Sequence, residues 1–120
     1  MKIIKYIQKW DYHQQHHIQI MERGKYVGGG YISEESNDIT ITGVYVLKKH
    51  RYKGYGSIII TELMNQVEKL GFNEVWLMVK KENKNLIKMY ESKSFVVEKD
   101  VGNGVYQWMR WEKKFTTLDD

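Results

Sequence analysis

The sequence predicts a mixed α/β domain built on a mostly antiparallel sheet, and three observations lead there. β-rich apolar runs broken by turn signals fill the amino-terminal third. From Ser57 the apolar period lengthens to three and four residues. Near the end of the chain an Asn-Gly pair separates two further apolar runs. With 120 residues, 42% apolar and 13% aromatic, the chain has the size of a single domain, 1–120, around one core.

Each element has its own signal. Ile3, Ile4, Tyr6 and Ile7 make a first β-rich run; Ile18, Ile20 and Met21 make a second and lead to a turn at Gly24-Lys25. Tyr26 to Ile32 reads as a third strand, thinned by Gly28, Gly29 and Gly30. Three successive glycines in a strand mark a bulge, a bend or the close approach of another backbone. The polar cluster from Ser33 to Asp38 predicts a loop, after which Ile39-Thr40-Ile41-Thr42 alternates and runs into Val44 to Leu47. Ile59, Ile60, Leu63, Met64, Val67 and Leu70 then recur at helical spacing, opposite Glu62, Gln66 and Lys69, and Gly71 ends that helix. Glu74 to Val79 is a short apolar run of the kind expected for a strand covered on both faces. A second helix fits Asn83 to Lys93, with Asn83 as its cap and Leu86, Met89 and Tyr90 on one side. Phe95 to Val97 and Val105 to Phe115 flank Gly102-Asn103-Gly104 and predict a terminal hairpin.

Composition narrows the function. The chain has no Cys, which removes disulfides, thiolate metal sites and a Cys nucleophile, and fits a reducing cytoplasm. Lys2, Lys5, Lys9 and Asp11 interrupt the first 20 residues, so neither a signal peptide nor a membrane span is expected. His13, His16 and His17 lie in one short stretch without a carboxylate partner, and no metal is expected.

The charge is concentrated. Lys48, Lys49, Arg51 and Lys53 fall within residues 48–56 with no Asp or Glu among them, and their charge equals the whole formal net charge of +4. They surround Arg51-Tyr52-Lys53-Gly54-Tyr55-Gly56, which joins the fourth β run to the first helix. Gly54 and Gly56 let such a turn curl tightly, so that backbone N–H groups and the positive helix end converge on one anion. The turn is neither a dinucleotide fingerprint nor a Walker loop: the glycine spacing differs, and Lys53 precedes Gly54 where a Walker lysine follows the second glycine. A charge gathered at one glycine turn suits a small polyanion better than a nucleic-acid duplex.

Farther along stands Asn83-Lys84-Asn85-Leu86-Ile87-Lys88-Met89-Tyr90-Glu91-Ser92-Lys93-Ser94-Phe95. With the Arg51 to Gly56 turn before it, the segment from Val44 to Phe95 resembles the GNAT superfamily of acyl-CoA-dependent N-acyltransferases. Its signature is R/Q-x-x-G-x-G/A, a helix, a strand, then N-x-x-A-x-x-L-Y-x-x-x-G-F. Asn83, Tyr90 and Phe95 stand in register with that second motif.

The resemblance implies a fold whose fourth and fifth strands splay apart to admit acetyl-CoA, with no metal, and an acetyl transfer to a primary amine in a ternary complex. It further implies that Arg51, Tyr52, Lys53, Gly54, Tyr55, Gly56 and Ser57 hold the pyrophosphate. Val44 and Val46 would offer backbone groups to the pantetheine arm and the thioester carbonyl, Asn83 would bond along that arm, and Tyr90 would protonate the departing thiolate. Taken alone, Tyr90 reads as a core aromatic; the joint motif turns the reading toward a general acid.

This chain departs from the pattern at Ser94 and Leu86, where the family favours Gly and Ala. A larger departure is the shortened amino-terminal region, since the family places two helices where only about Asp11 to His17 is available. The acceptor side is then open, completed by a second subunit, or suited to a large substrate. The acceptor is read as a small-molecule or peptide amine. The base is unassigned: the fourth strand offers Thr40 and Thr42, and Glu34, Glu35 and Asp38 read as solvated loop carboxylates. Exposed strand edges and the nearby Trp108 and Trp111 suggest a homodimer. The rival classes are a CoA-binding module without acceptor chemistry and a basic nucleic-acid-binding domain.

Overall fold

The structure is a computed structural model that describes residues 1–114. Four strands come first: β1 (Lys2–Lys9), β2 (His13–Glu22), β3 (Lys25–Glu35) and β4 (Asp38–Val46). A single 3-10 turn, Lys48–His50, leads to α1 (Tyr55–Lys69), β5 (Glu74–Lys80), α2 (Lys84–Ser92), β6 (Val96–Val101) and β7 (Tyr106–Glu112). The strands form one sheet in the order β1-β2-β3-β4-β5-β7-β6, antiparallel throughout except where β4 meets β5. The mixed α/β class expected from the sequence is the observed one. Neither helix is long and apolar enough to cross a membrane.

Cross-strand register sorts the side chains onto two faces, because successive residues of a strand point to opposite sides. Ile18 opposes Gly30, Ile20 opposes Gly28, Ile32 opposes Ile41, and Leu77 opposes both Ile41 and Met109. These residues share one face with α1, whose Ile59 and Leu63 reach Gly28 and Gly30. Helix α2 lies beside α1 on that face, its Met89 Sδ 3.4 Å from where a Cβ on Gly56 would sit. The core is therefore one layer between a sheet face and two helices, and includes Ile87, Tyr90 and Phe95.

Among the described residues, the other face carries no helix. Strand β5 shows this directly: Val75, Leu77 and Val79 are buried, while Met78 is 50% exposed and Trp76 half-buried. The expectation that β5 is covered on both faces is thus corrected. Its apolar run is continuous because Trp76 and Met78 face outward, where no helix of the described chain covers them.

Other boundaries shift for local reasons. The polar cluster after Ile32 is not a loop: β3 runs to Glu35, β4 starts at Asp38, and only Ser36 and Asn37 turn the chain. Polar residues serve well on those strand ends because Ser33 opposes Thr40 on the open face. At the amino terminus β1 pairs with β2 from Lys2↔Met21 to Lys9↔Gln14, so Asp11 and Tyr12 form a tight connection and 13–17 are strand. Where the resemblance implies two helices, the described residues form a hairpin of β1 and β2. Helix α1 begins two residues before Ser57, since Gly54 at φ 89° turns the chain into it. Phe115, taken as the end of the last strand, lies outside the described residues.

Both helices close with Schellman caps. In α1, Phe72 N donates to Val67 O and Gly71 N to Glu68 O, with Gly71 at φ 82°. In α2, Phe95 N donates to Tyr90 O and Ser94 N to Glu91 O, and the accompanying ring contact joins Tyr90 to Phe95 at 5.7 Å. Ser94 sits at φ 75°, a conformation that glycine adopts freely. Ser94→Gly is expected to stabilise the fold by about 0.5–1 kcal/mol, the difference between the left-handed penalty relieved and the chain entropy added. A urea midpoint that falls in this variant would refute the strain.

Candidate functional site

The site is created where two strands part. Parallel pairing between β4 and β5 is confined to Thr40↔Trp76 and Ile41↔Leu77. Beyond it β4 bends away at a bulge: Gly29 opposes Tyr45 and Tyr31 opposes Thr42, so Gly30 alone faces both Gly43 and Val44. Gly43 adopts φ 65°, and a Cβ on Gly30 would come within 3.1 Å of the Val44 side chain. The glycine triplet read from the sequence as a bulge or close approach is both.

Two connected recesses fill the gap. The first, about 430 Å³, is lined by Val44, Val46, Arg51, Tyr52, Gly54, Tyr55, Gly56, Ser57 and Asn83 among others. The second, about 340 Å³, shares Val44, Asn83 and Leu86 with it and reaches Tyr90. Its walls combine Leu77, Val79 and Tyr90 from the helix-covered side with Thr42, Met78 and Trp108 from the bare side, so the cleft passes through the sheet. Of the residues that the sequence assigned to the cofactor or to proton transfer, only Lys53 lies outside these walls.

The first recess gathers groups that attract an anion. Gly54 caps α1 with no side chain bonded to the first amides, and the first turn holds no acidic residue. The earliest intrahelical bond comes from Ile58 N to Gly54 O, which leaves the N–H groups of Tyr55, Gly56 and Ser57 at the recess with the positive helix end behind them. Arg51 is folded back: its Nε donates to Val46 O at 2.9 Å and its guanidinium lies 5.2 Å over the Tyr45 ring. It ties the basic turn to the end of β4. His50, unmarked in the sequence reading, also lines the recess; its ring meets Tyr55 edge-on, and its Nε2 is buried without a partner among the described residues. A histidine among four basic residues gave no separate signal.

At the inner end, Asn83 Oδ1 accepts from Leu86 N at 3.3 Å, so Asn83 is the helix cap the sequence predicted and also part of both walls. Tyr90 is buried, and desolvation pushes its hydroxyl up to about 12. The hydroxyl has no hydrogen-bond partner among the described residues and stays a phenol throughout the neutral range.

The remaining polar candidates lie elsewhere. Glu34 faces the helix side, where its carboxylate takes His16 Nε2 at 3.0 Å and Gln14 Nε2 at 2.6 Å. Burial alone would raise this carboxyl, yet the bonds from His16 and Gln14 outweigh it and hold it below its ordinary value. His17 points to the opposite face, stacked between Tyr6 and Tyr31 at 4.6 and 4.8 Å, with burial and the neighbouring His16 lowering its pKa. His13 stacks on Trp10. Strand alternation separates His16 from His17, and among the described residues no three His, Cys, Asp or Glu converge on a metal position. The sequence reading did not single out Tyr106 or Met78; each is one residue of a strand, and only pairing across the sheet shows that they border the gap.

Comparison with known proteins agrees with this geometry. The model of the acetyltransferase (GNAT) family matches residues 2–95. Among solved structures, the ribosomal-protein-S18-alanine N-acetyltransferase of Escherichia coli superposes with a TM-score of 0.72 at 20% identity, covering 84% of this chain and 70% of that one. The PaiA N-acetyltransferase of Thermoplasma acidophilum, in complex with coenzyme A, gives 0.71 at 21% identity, with 82% and 60% covered. YncA from Salmonella typhimurium, with its cofactor acetyl-CoA, gives 0.74 at 18% identity, with 88% and 69% covered. At these identities the likeness is one of fold. No curated protein matches the chain by sequence.

The Tyr90 hydroxyl also allows a test by stability alone, with no activity measured. Its folded pKa lies above the unfolded value of 10, so its contribution is complete below pH 10 and is lost as pH rises through about 12. Tyr90→Phe, which deletes an unbonded hydroxyl, is expected to change stability at pH 7 by less than about 0.5 kcal/mol. The variant should also lose less stability than the parent between pH 10 and 12. Urea unfolding at pH 7 and pH 11 checks both, and a variant that collapses at pH 7 would mean the hydroxyl is bonded.

Proposed function

Because the chain belongs to the acetyltransferase (GNAT) family, we propose that it transfers an acetyl group from acetyl-CoA to a primary amine, directly and within a ternary complex. The observation that carries this reading is the continuity of the cleft, from unbonded amides at the start of α1 to the Tyr90 hydroxyl, through the opening between β4 and β5. The coenzyme A and acetyl-CoA named with two of the superposable structures support it.

The donor fits these residues. The amides of Tyr55, Gly56 and Ser57, with the positive end of α1, hold the pyrophosphate in the first recess. Tyr52 borders that recess, and Lys53 adds only long-range attraction from outside it. Arg51 keeps the turn on the end of β4 and lends its charge there. The bulged segment from Val44 to Val46 offers main-chain groups to the amide-bearing arm, and Asn83 supplies a side-chain amide from across the cleft. Bound acetyl-CoA supplies a thioester acyl group, whose C–S bond breaks as the amine forms a new C–N bond. An N–H of the bulged segment stabilises negative charge at the acyl oxygen. Tyr90, un-ionised at neutral pH, gives its proton to sulfur, and the proton that the nitrogen sheds as the amide forms passes through solvent to restore the phenol. With no Cys in the chain, a cysteine-borne acyl group plays no part.

Two variants test the reading. Gly54→Asp with Gly56→Asp places carboxylates in the anion recess and is expected to weaken acetyl-CoA binding, measured by calorimetry, about 100-fold or more. Tyr90→Phe is expected to lower kcat about 100-fold while leaving the acetyl-CoA affinity in place. Full activity in Tyr90→Phe would remove Tyr90 as the acid, and a folded parent that binds no acetyl-CoA would sink the proposal.

A further inference from the structure

The opening between β4 and β5 has two mouths, and the second faces the side of the sheet that no helix covers. Resting on the acyltransferase reading above, we propose that this mouth is the acceptor entrance and that the acceptor is a monoamine with an aromatic body.

The register of the sheet defines the walls. On one side Thr42 and Gly43 line the recess, and Tyr31, the cross-strand neighbour of Thr42, stands behind them with its ring within 2.9 Å of where a Cβ on Gly43 would sit. On the other side Met78 opposes Trp108 and Lys80 opposes Tyr106. Met78 is 50% exposed, and Trp108 meets Trp76 edge-to-face at 6.1 Å. This is apolar, aromatic surface turned toward water at the rim of a recess, where a flat ring gains area burial and stacking together.

The charges argue against a polycationic acceptor. No carboxylate lines the second recess, and its one charged wall residue, Lys80, forms no ion pair among the described residues. A positive side chain there lowers the pKa of an incoming amine, favouring the neutral nucleophile, and repels a second ammonium on the same molecule. Three acidic groups of this face, Glu74, Glu98 and Glu112, gather instead on Arg110, which lies over the far ring, Trp76. They are engaged around the Trp76↔Arg110 pair, four residue pairs away from Lys80 along β5.

The experiment compares acceptors at saturating acetyl-CoA: tryptamine, spermidine and a peptide beginning with alanine. Tryptamine is expected to show a kcat/KM at least about tenfold above the other two. Trp108→Ala should lower the tryptamine value about tenfold and leave the acetyl-CoA Kd unchanged. Lys80→Glu, a surface change expected to fold even if Trp108→Ala does not, should raise spermidine relative to tryptamine. In parallel, saturation-transfer NMR on the protein with desulfo-CoA should detect bound tryptamine and not bound spermidine. Preference for spermidine or the peptide, equal loss for all acceptors in Trp108→Ala, or no tryptamine signal overturns this inference alone. Failure of acetyl-CoA to bind the parent protein strikes instead at the acyltransferase reading.

Discussion

Two residue pairs hold the halves of this sheet together. Thr40↔Trp76 and Ile41↔Leu77 are all the parallel ladder that β4 and β5 share, and the cleft exists because the ladder stops there. Backbone groups released by the parting strands would be costly if enclosed without partners. A fold that keeps them must give them solvent or a ligand, and the recesses do so. The bulge of Gly43 and Val44 against Gly30 steers β4 outward, while the shared core beneath Ile41 and Leu77 keeps the halves from separating further.

The positions of both chemical ends follow from that gap. β4 delivers the basic turn at one rim, where Gly54 hands the chain to α1 with its leading amides uncovered. β5 delivers α2 at the other rim, and the Schellman cap that stops α2 is anchored on the carbonyl of Tyr90. A residue placed by its own main-chain bond and by the Phe95 ring has little freedom to move its hydroxyl. Arg51 acts similarly at the opposite end, since its bond to Val46 O fixes the turn against the strand that made the gap.

Local chemistry was legible in the sequence where one segment determines it. The glycine turn, the Asn83 cap, both helices, the glycine-marked bulge and the terminal hairpin were all readable, because each depends on residues close in the chain. Pairing across the sheet was not. The stretch from Ser33 to Asp38 looks like a loop because its polar residues lie on strand ends that water can reach, and Trp76 and Met78 look buried because apolar type alone does not reveal a face without a helix. The nearness of Tyr31, Met78 and Trp108 to the gap depends on three strands contributed by distant segments. Arg51 shows a subtler limit: its motif position was evident, but its fold-back onto Val46 is a property of the assembled turn.

The open face raises a problem of colloidal behaviour that the outermost strands answer. A sheet with one uncovered side and two free borders is a template on which other sheets could accrete. β1 presents Lys2, Lys5 and Lys9 along one border, so an identical strand brought against it meets charge of the same sign. β6 presents Glu98, Lys99 and Asp100, with an irregular register between Val97 and Lys99 that twists the border out of line. The molecule can therefore leave aromatic surface in water while denying growing fibrils a straight place to start.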